Sequence, residues 1–159
     1  MKIIYVHHAE RNVSKDHLNS ELRQLEDITE TGIKEAEFLA ERLKKQKVKA
    51  IVTSPYLRCK HTSEILNKYI NVPIIEDSRF NEMQKNEEWK HLLKRNMEAI
   101  DDIVKTYKDD DTIICVTSGV NVSAFICYFY KIEPSNETPW SQAAGLSPMI
   151  FTIGKKMLD

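Results

Sequence analysis

Short apolar runs, most of them rich in β-branched residues, alternate along this chain with stretches of helical periodicity. The apolar runs occupy residues 2–6, 50–54, 72–76, 112–118 and 149–153. They run without polar alternation, which is typical of strands that are buried on both faces. Strands of this kind, separated by helices, predict a parallel or mixed sheet that helices cover on both sides.

Four segments between these runs have the periodicity of helices. We expect the first over residues 31–46, the second up to residue 70, the third over residues 89–107 and the fourth over residues 121–130. Ser54 is the expected N-cap of the second helix and Pro55 its first residue. Residues 10–28 are polar and charged and are expected to form a long loop with some helix, and residues 131–147 a second irregular segment.

The predicted fold class is therefore α/β, a three-layer sandwich with a mostly parallel central sheet. The chain has 159 residues with a formal net charge of −1. This length fits a single domain spanning residues 1–159. The near-zero charge argues against nucleic acid as a partner. No apolar run reaches the roughly 18–20 residues of a membrane span, so no membrane partner is expected.

Cysteine usage favours a cytoplasmic protein with reduced thiols. The three cysteines, Cys59, Cys115 and Cys127, include no CxxC pair, and two of them lie within apolar runs. Buried thiols are the simplest interpretation. A structural zinc site is disfavoured, because such sites use four Cys or His ligands in close pairs. We expect no metal and no other cofactor.

The residues that follow the predicted strands carry the candidate chemistry, because ligands of open α/β sheets bind beyond the carboxyl ends of the strands. The candidates are two histidines after the first strand, an arginine after the second, an arginine and an acid after the third, and a Ser-Gly pair after the fourth. In chain order these are His7, His8, Arg58, Arg79, Glu82, Ser118 and Gly119.

This set is suited to a phosphorylated ligand. Helix N-termini and a bidentate guanidinium bind phosphate oxygens, and a histidine can act as base, acid or nucleophile. Each residue taken singly also has a purely structural interpretation. Side chains alternate along an extended chain, so we expect His7 and His8 to point to opposite faces and only one to face the ligand.

Five blocks of the sequence resemble motifs of the histidine phosphatase superfamily, also called phosphoglycerate mutase-like. Residues 3–10 (IIYVHHAE) resemble its RHG strand end, and residues 28–36 (ITETGIKEA) its LTexGxxQA segment. Residues 51–62 (IVTSPYLRCKHT) resemble SSPLxRAxQT, residues 77–82 (DSRFNE) resemble DxRLxE, and residues 115–120 (CVTSGV) resemble VVSHGG. The five blocks occur in the family's order through nearly the whole chain.

This resemblance implies a role for each matched residue. His8 would be the nucleophile and would form a phosphohistidine, while Arg58 would hold the phosphate oxygens. Glu82 would protonate the leaving group and then act as base for water. The chemistry is consistent, since phosphoryl transfer needs an in-line nucleophile and positive charge around the equatorial oxygens. A neutral imidazole supplies the nucleophile without a metal.

Two positions depart from the family pattern. His7 stands where the family has arginine, and Ser118 stands where it has its second catalytic histidine. The phosphate pocket would then consist of Arg58 with His7 and Ser118 as partial replacements. Loss of one preorganised donor lowers a rate by roughly 100–1,000-fold. The resemblance thus implies a weakened enzyme.

Three functions follow as hypotheses. The first is a metal-independent phosphoric monoester hydrolase that acts on a phosphorylated small molecule; the short connection over residues 83–88 favours a phosphatase over a mutase. The second is a catalytically silent protein of the same fold that binds a phospho-ligand or has a regulatory role, which Ser118 favours. The third, a serine hydrolase using Ser118, lacks the glycine two residues before the serine that a nucleophile elbow needs.

Overall fold

The computed structural model describes residues 1–15, 20–133 and 149–153. Within them lie five strands and five α-helices. The strands are β1 (Lys2–His7), β2 (Val48–Thr53), β3 (Ile74–Glu76), β4 (Thr112–Thr117) and β5 (Met149–Thr152). The helices are α1 (Ser20–Gln24), α2 (Glu30–Leu43), α3 (Leu57–Ile70), α4 (Trp89–Thr106) and α5 (Gly119–Tyr130). A 3₁₀ turn at Ser78–Phe80 follows β3.

The strands form one sheet in the order β3-β2-β4-β1-β5. The first four are parallel, and β5 runs antiparallel to β1 at one edge. The prediction of a mostly parallel sheet is confirmed. The strand order brings the carboxyl ends of β1, β2 and β4 side by side, because β4 lies between the other two.

Helices cover both faces of the sheet, which explains why the strands are apolar throughout. In β1, Ile3 and Tyr5 pack into a cluster with residues of α4 and α5. The alternate residues Ile4 and Val6 pack into a second cluster with residues of α2 and α3. Successive side chains of a strand point to opposite faces, so both sets need apolar neighbours. The predicted three-layer sandwich is confirmed.

Several predicted boundaries shift in the structure. Helix α3 begins at Leu57, so the expected cap at Ser54 and the first helical position at Pro55 are wrong. The reason is that Ser54 extends the sheet, since its N–H donates to the carbonyl of Val116 at 3.0 Å. Helix α5 begins at Gly119, two residues earlier than expected.

Other helix and strand ends differ from the expected ones by one to three residues. Helix α2 ends at Leu43 rather than at residue 46, and α4 ends at Thr106, one residue before its expected end. Strand β3 is shorter than the apolar run 72–76 and starts at Ile74. The segment 10–28 contains the short helix α1, in agreement with the expectation of some helix there. Most of the second irregular segment, 131–147, lies outside the described residues. In the described part of the chain, no helix is both long and apolar enough to cross a membrane.

The start of α2 is fixed against the chain that leaves β1. Thr29 caps the helix, and its hydroxyl accepts a hydrogen bond from the Gly32 N–H at 2.9 Å. Its own N–H donates to the carbonyl of Glu10 at 2.9 Å. Gly32 lies so close to Glu10 that a Cβ atom there would be 2.3 Å from the carbonyl oxygen. The close approach of Gly32 to Glu10 and the hydrogen bond from Thr29 hold the loop after His8 against the first turn of α2.

Candidate active site

His7 and His8 lie side by side at the carboxyl end of β1. Their ring centroids are 4.2 Å apart with planes tilted by 33°. The expectation that they point to opposite faces is wrong. The reason is that β1 ends at His7, so the alternation of the pleat does not extend to His8. The His8 N–H still donates to the carbonyl of Thr117 on β4 at 2.9 Å, which fixes the backbone at this point.

The environment of His8 determines which of its ring nitrogens is available. Its Nδ1 lies 2.8 Å from the carbonyl oxygen of Ala9. A carbonyl oxygen only accepts, so in this hydrogen bond Nδ1 carries the proton and Nε2 keeps its lone pair. The side chain is buried. Burial, followed by the charges of His7 and Arg58, holds the pKa of His8 well below its ordinary value.

His7 is also held in its neutral form at pH 7. Burial is the largest cause and lowers its pKa to about 4. The Glu82 carboxylate opposes this shift, while the nearby charges of Arg58 and Arg11 add to it. Position 7 therefore lies within electrostatic reach of both Arg58 and Glu82, but its imidazole contributes no positive charge near neutral pH.

Arg58 and Glu82 form an ion pair in the cleft. Arg58 Nη2 lies 2.5 Å from Glu82 Oε2, and the arginine side chain is 0% exposed against 22% for the glutamate. The second nitrogen, Nη1, donates to the carbonyl of Arg23 at 2.6 Å. The guanidinium carbon lies 4.9 Å from the centre of the Tyr56 ring. A fully buried guanidinium needs such partners, because an unpaired buried charge is strongly unfavourable.

Arg23 of α1 enters the same cleft. Its Nε lies 3.9 Å from Glu82 Oε2, and its Nη2 donates to the carbonyl of Met83 at 3.2 Å. No motif in the sequence points to Arg23. It lies in the irregular segment 10–28, where no periodicity places a side chain relative to the sheet.

Ser118 lies at the carboxyl end of β4 and is buried. It precedes α5, and its hydroxyl accepts a hydrogen bond from Asn121 Nδ2 at 3.0 Å. The same amide contacts the carbonyls of Phe80 and Asn81 at 3.0 and 3.1 Å. Asn121 thus joins the end of β4 to the segment that carries Glu82. Its signal in the sequence is a polar amide within a mostly apolar helix.

Two further hydroxyl groups hold the strand ends together. Ser54, which follows β2, donates to Asn81 Oδ1 at 2.7 Å. Thr62 of α3 accepts from the Ala9 N–H at 3.0 Å and donates to the carbonyl of Arg58 at 2.7 Å. The segments bearing His8, Arg58 and Glu82 are thereby connected through short hydrogen bonds.

Arg79, a candidate from the sequence, does not join this group. It forms ion pairs with Asp77 and Asp102, each at 2.7 Å. Of the other candidates, the structure joins Glu82 to Arg58 directly, stacks His7 against His8, and ties Ser118 to the Glu82 segment through Asn121. Within the described ranges, no group of three or more His, Cys, Asp or Glu side chains is arranged to hold a metal ion. Cys59, Cys115 and Cys127 are buried free thiols, as expected.

A cavity of about 900 Å³ lies beside the Glu82 segment and includes Met83, Gln84, Trp89, Tyr128 and Lys131 in its lining. Neither His8, Arg58 nor Glu82 lines it. Gln84 connects the two regions, because its amide donates to the Glu82 carbonyl at 2.6 Å and to the Tyr56 hydroxyl at 2.9 Å. The cavity is therefore adjacent to the candidate site and separate from it.

Comparison with solved structures shows the fold to be that of phosphoglycerate mutase-like proteins. YhfR of Bacillus stearothermophilus superposes with a TM-score of 0.74 at 20% identity, covering 97% of this chain and 92% of that one. A phosphoglycerate mutase from Bacillus anthracis superposes with a TM-score of 0.74 at 13% identity, covering 96% and 88%. At these identities the likeness concerns the fold alone.

A sequence relative and a family model give the closer relationship. A protein named as an uncharacterized phosphatase, PhoE of Bacillus subtilis (strain 168), is 40% identical over 55 residues. This match spans 35% of the chain and only 28% of that relative. The model of the histidine phosphatase superfamily (branch 1) matches residues 3–87, which is more than half of the 159 residues. The chain belongs to the histidine phosphatase superfamily.

Proposed function

We propose that this protein is a phosphoric monoester hydrolase that acts through a phosphohistidine on His8. The observation that carries the proposal is the hydrogen bond between His8 Nδ1 and the Ala9 carbonyl at 2.8 Å. It presents Nε2 as an unprotonated nucleophile, and the lowered pKa keeps the ring neutral at pH 7. Arg58 supplies a charged fork for the equatorial oxygens of the phosphoryl group.

The reaction has two balanced steps. His8 Nε2 attacks phosphorus, and the bond between phosphorus and the ester oxygen breaks. Glu82, as a carboxylic acid, gives its proton to that oxygen, and the alcohol leaves. Glu82, now a carboxylate, takes a proton from water as the water oxygen attacks phosphorus. The P–N bond breaks, and inorganic phosphate leaves with His8 restored.

Substrate binding must release Glu82 for this role. Its Oε2 accepts a hydrogen bond from Nη2 of Arg58 at 2.5 Å. A phosphate dianion competes for the same donor with more charge and more oxygens. We propose that phosphate takes Arg58 and that Glu82 turns to the ester oxygen. His7 and Ser118 line the phosphate and contribute uncharged donors, so turnover is slower than in members that have arginine and histidine at these positions.

The test is to trap the intermediate. The protein is incubated with a labelled aryl phosphate and quenched; a phosphohistidine is labile in acid and stable in base. We expect such an adduct in the parent and in His91→Asn, which removes an exposed histidine of α4. We expect none in His8→Asn. Undiminished hydrolysis by His8→Asn would overturn the proposal. Parallel assays in a chelator are expected to retain full activity, since no step uses a metal.

A silent phosphate-binding protein is the second candidate, and Ser118 favours it. Its hydroxyl is engaged by Asn121 at 3.0 Å and carries no charge that could stabilise the transition state. This candidate predicts that phosphate binds in the micromolar to millimolar range while no adduct forms on His8. The trapping experiment and a phosphate titration on the same sample therefore separate the two functions.

A further inference from the structure

The positive charge in the cleft exceeds what Glu82 balances. His7 and His8 are neutral at pH 7, because both have lowered pKa values. Arg58 and Arg23 both lie beside the single carboxylate of Glu82. Arg11, the other nearby cation, has its own partner in Glu26. Glu26 also lies within electrostatic reach of Arg58. Counted over the described residues, the three arginines thus face two carboxylates, which leaves about one positive charge unbalanced.

Both arginines also have an unused donor. The Nε atoms of Arg23 and Arg58 are buried and have no hydrogen-bond partner in the described part of the chain. Buried N–H groups without partners are rare, and each one requires an explanation. Here the two occur together, on the two cations that face the same carboxylate oxygen, and an anion with several oxygens would satisfy both.

The carboxylate oxygen marks a position that both arginines reach. Glu82 Oε2 is 2.5 Å from Arg58 Nη2 and 3.9 Å from Arg23 Nε. The first distance is a short hydrogen bond, whereas the second exceeds hydrogen-bond range. A carboxylate offers two oxygens in one plane, but a tetrahedral phosphate offers oxygens in several directions. Its larger size allows contact with both guanidinium groups at once.

Arg23 is held in place by contacts that do not involve the ligand. Its carbonyl accepts from Arg58 Nη1 at 2.6 Å, so the two arginines are tied together through the main chain. Its Nη2 donates to the Met83 carbonyl at 3.2 Å. Only 20% of the side chain is exposed. A side chain so restrained loses little conformational freedom when a ligand binds, which favours affinity.

We infer that Arg23 is the second phosphate-binding cation of this site. This inference rests on the proposed function. With phosphate bound and Glu82 protonated, two guanidinium groups face one dianion, and the charges balance. Arg23 supplies this second charge from α1, in the segment that follows β1. The site can therefore hold a phosphomonoester although His7 is neutral.

The test measures binding of inorganic phosphate to the full chain by calorimetry. We expect Arg23→Met to raise the Kd by roughly 10- to 100-fold, the range for loss of one charge-assisted hydrogen bond. Arg23→Lys keeps the positive charge but loses the bidentate guanidinium, so its Kd for phosphate should lie between those of the parent and Arg23→Met. Arg79→Met removes an arginine paired with Asp77 and Asp102 and should leave the Kd within about twofold.

Two features keep the experiment decisive. The hydrogen bond from Arg58 to the Arg23 carbonyl involves the main chain and survives the substitution, so the pocket is expected to stay folded; the melting temperature without phosphate checks this. A charge rescue follows as well: His7→Arg should restore most of the affinity lost in Arg23→Met, because position 7 lies near the same ion pair. His7→Arg is also measured in the parent: if Arg23 binds phosphate, the gain in affinity is larger in Arg23→Met than in the parent, whereas a structural role of Arg23 gives equal gains.

The outcomes separate the two proposals. If the parent binds phosphate and Arg23→Met binds it equally well, the inference on Arg23 is wrong while the proposed function stands. Failure of the parent itself to bind phosphate would overturn both. Loss of affinity in Arg23→Met with equal gains from His7→Arg in the parent and in Arg23→Met would limit Arg23 to a structural role and contradict the inference.

Discussion

Arg58 and Glu82 are joined by a 2.5 Å contact between Nη2 and Oε2 in which the guanidinium is wholly buried. The glutamate belongs to the segment after β3, and the arginine is the second residue of α3. The pair closes the cleft with an internal anion at the place that a phosphate group is proposed to take. In the proposed function, phosphate binding is therefore a competition between two anions for one guanidinium.

This competition gives the first prediction. Glu82→Gln keeps an oxygen acceptor for Arg58 but removes the competing charge. We expect the affinity for inorganic phosphate to rise by about 10-fold, which corresponds to about 1.4 kcal/mol. We expect kcat to fall by a factor of at least 100, because the general acid is lost. Calorimetry and steady-state kinetics on an aryl phosphate measure the two effects. An unchanged or weaker phosphate affinity would show that Glu82 does not compete for this site.

The histidine pair makes stability depend on pH. Burial lowers the pKa of His7 to about 4 and holds the pKa of His8 well below its ordinary value. The unfolded chain therefore binds more protons than the folded one below about pH 6.5, so the free energy of unfolding falls as the pH falls. For His7 the loss is complete below about pH 4. Urea denaturation between pH 7.5 and 4.5 measures the slope.

A double variant tests whether His7 and His8 cause the pH dependence of the free energy of unfolding. Replacement of both residues in His7→Asn/His8→Asn removes the two groups whose pKa values differ between the folded and unfolded states. We expect its free energy of unfolding to change less between pH 7 and pH 4.5 than that of the parent. If the free energy of unfolding of both proteins fell equally with pH, other groups would be responsible for the loss of stability in acid.

Introducing the family's arginine and histidine at positions 7 and 118 should raise the phosphatase activity. His7→Arg supplies a permanent bidentate donor beside the Arg58–Glu82 pair, and Ser118→His supplies an imidazole at the end of β4. We expect the double variant to gain on the order of 100-fold in kcat, since preorganised donors act mainly in the transition state. Kinetics of the parent, both single variants and the double variant give the coupling. No gain in any folded variant would favour the silent binding protein.

The asparagine network beneath the site should matter for stability. Asn121 accepts from Asn96 Nδ2 at 2.8 Å and contacts the carbonyl of Phe80 at 3.0 Å. Asn121→Leu removes both hydrogen bonds, but Asn96 Nδ2 keeps its bond to the Leu92 carbonyl and the Phe80 carbonyl keeps its bond from the Thr117 hydroxyl. We therefore expect the free energy of unfolding to drop by about 1–2 kcal/mol. The double variant Asn96→Leu/Asn121→Leu should lose less than the sum of the single losses, because both partners of one hydrogen bond are then removed. Additive losses in chemical denaturation would show that the two residues act independently.

Gly32 gives a prediction that opposes helix propensity. Alanine is favoured over glycine in a helix by about 1 kcal/mol. At this position the added Cβ would lie 2.3 Å from the Glu10 carbonyl oxygen, and that atom belongs to the backbone. We expect Gly32→Ala to lower the melting temperature, because α2 must move away from the loop after β1. A thermal scan checks the sign, and a more stable variant would refute the close contact.

The apolar runs by themselves determined the architecture of this protein. Unbroken apolar strands have no polar face, so they require helices on both sides, and the strand residues Ile3 and Ile4 indeed pack into opposite clusters. The order of elements also placed His8, Arg58 and Glu82 at one edge, since parallel strands bring their carboxyl ends together. Periodicity and chain direction suffice for conclusions of this kind because they depend on local backbone geometry alone.

The tertiary structure decided where the side chains after the strands point. No local pattern indicates that His7 and His8 lie against each other, because alternation holds only within a strand. Nor does any pattern bring Arg23 from an irregular segment to within 3.9 Å of Glu82, or turn Arg79 towards Asp77 and Asp102. These positions depend on which charges and hydrogen-bond partners meet once the chain has folded. The family could therefore be predicted from the motifs, whereas the charge balance of the cleft could be seen only in the folded chain.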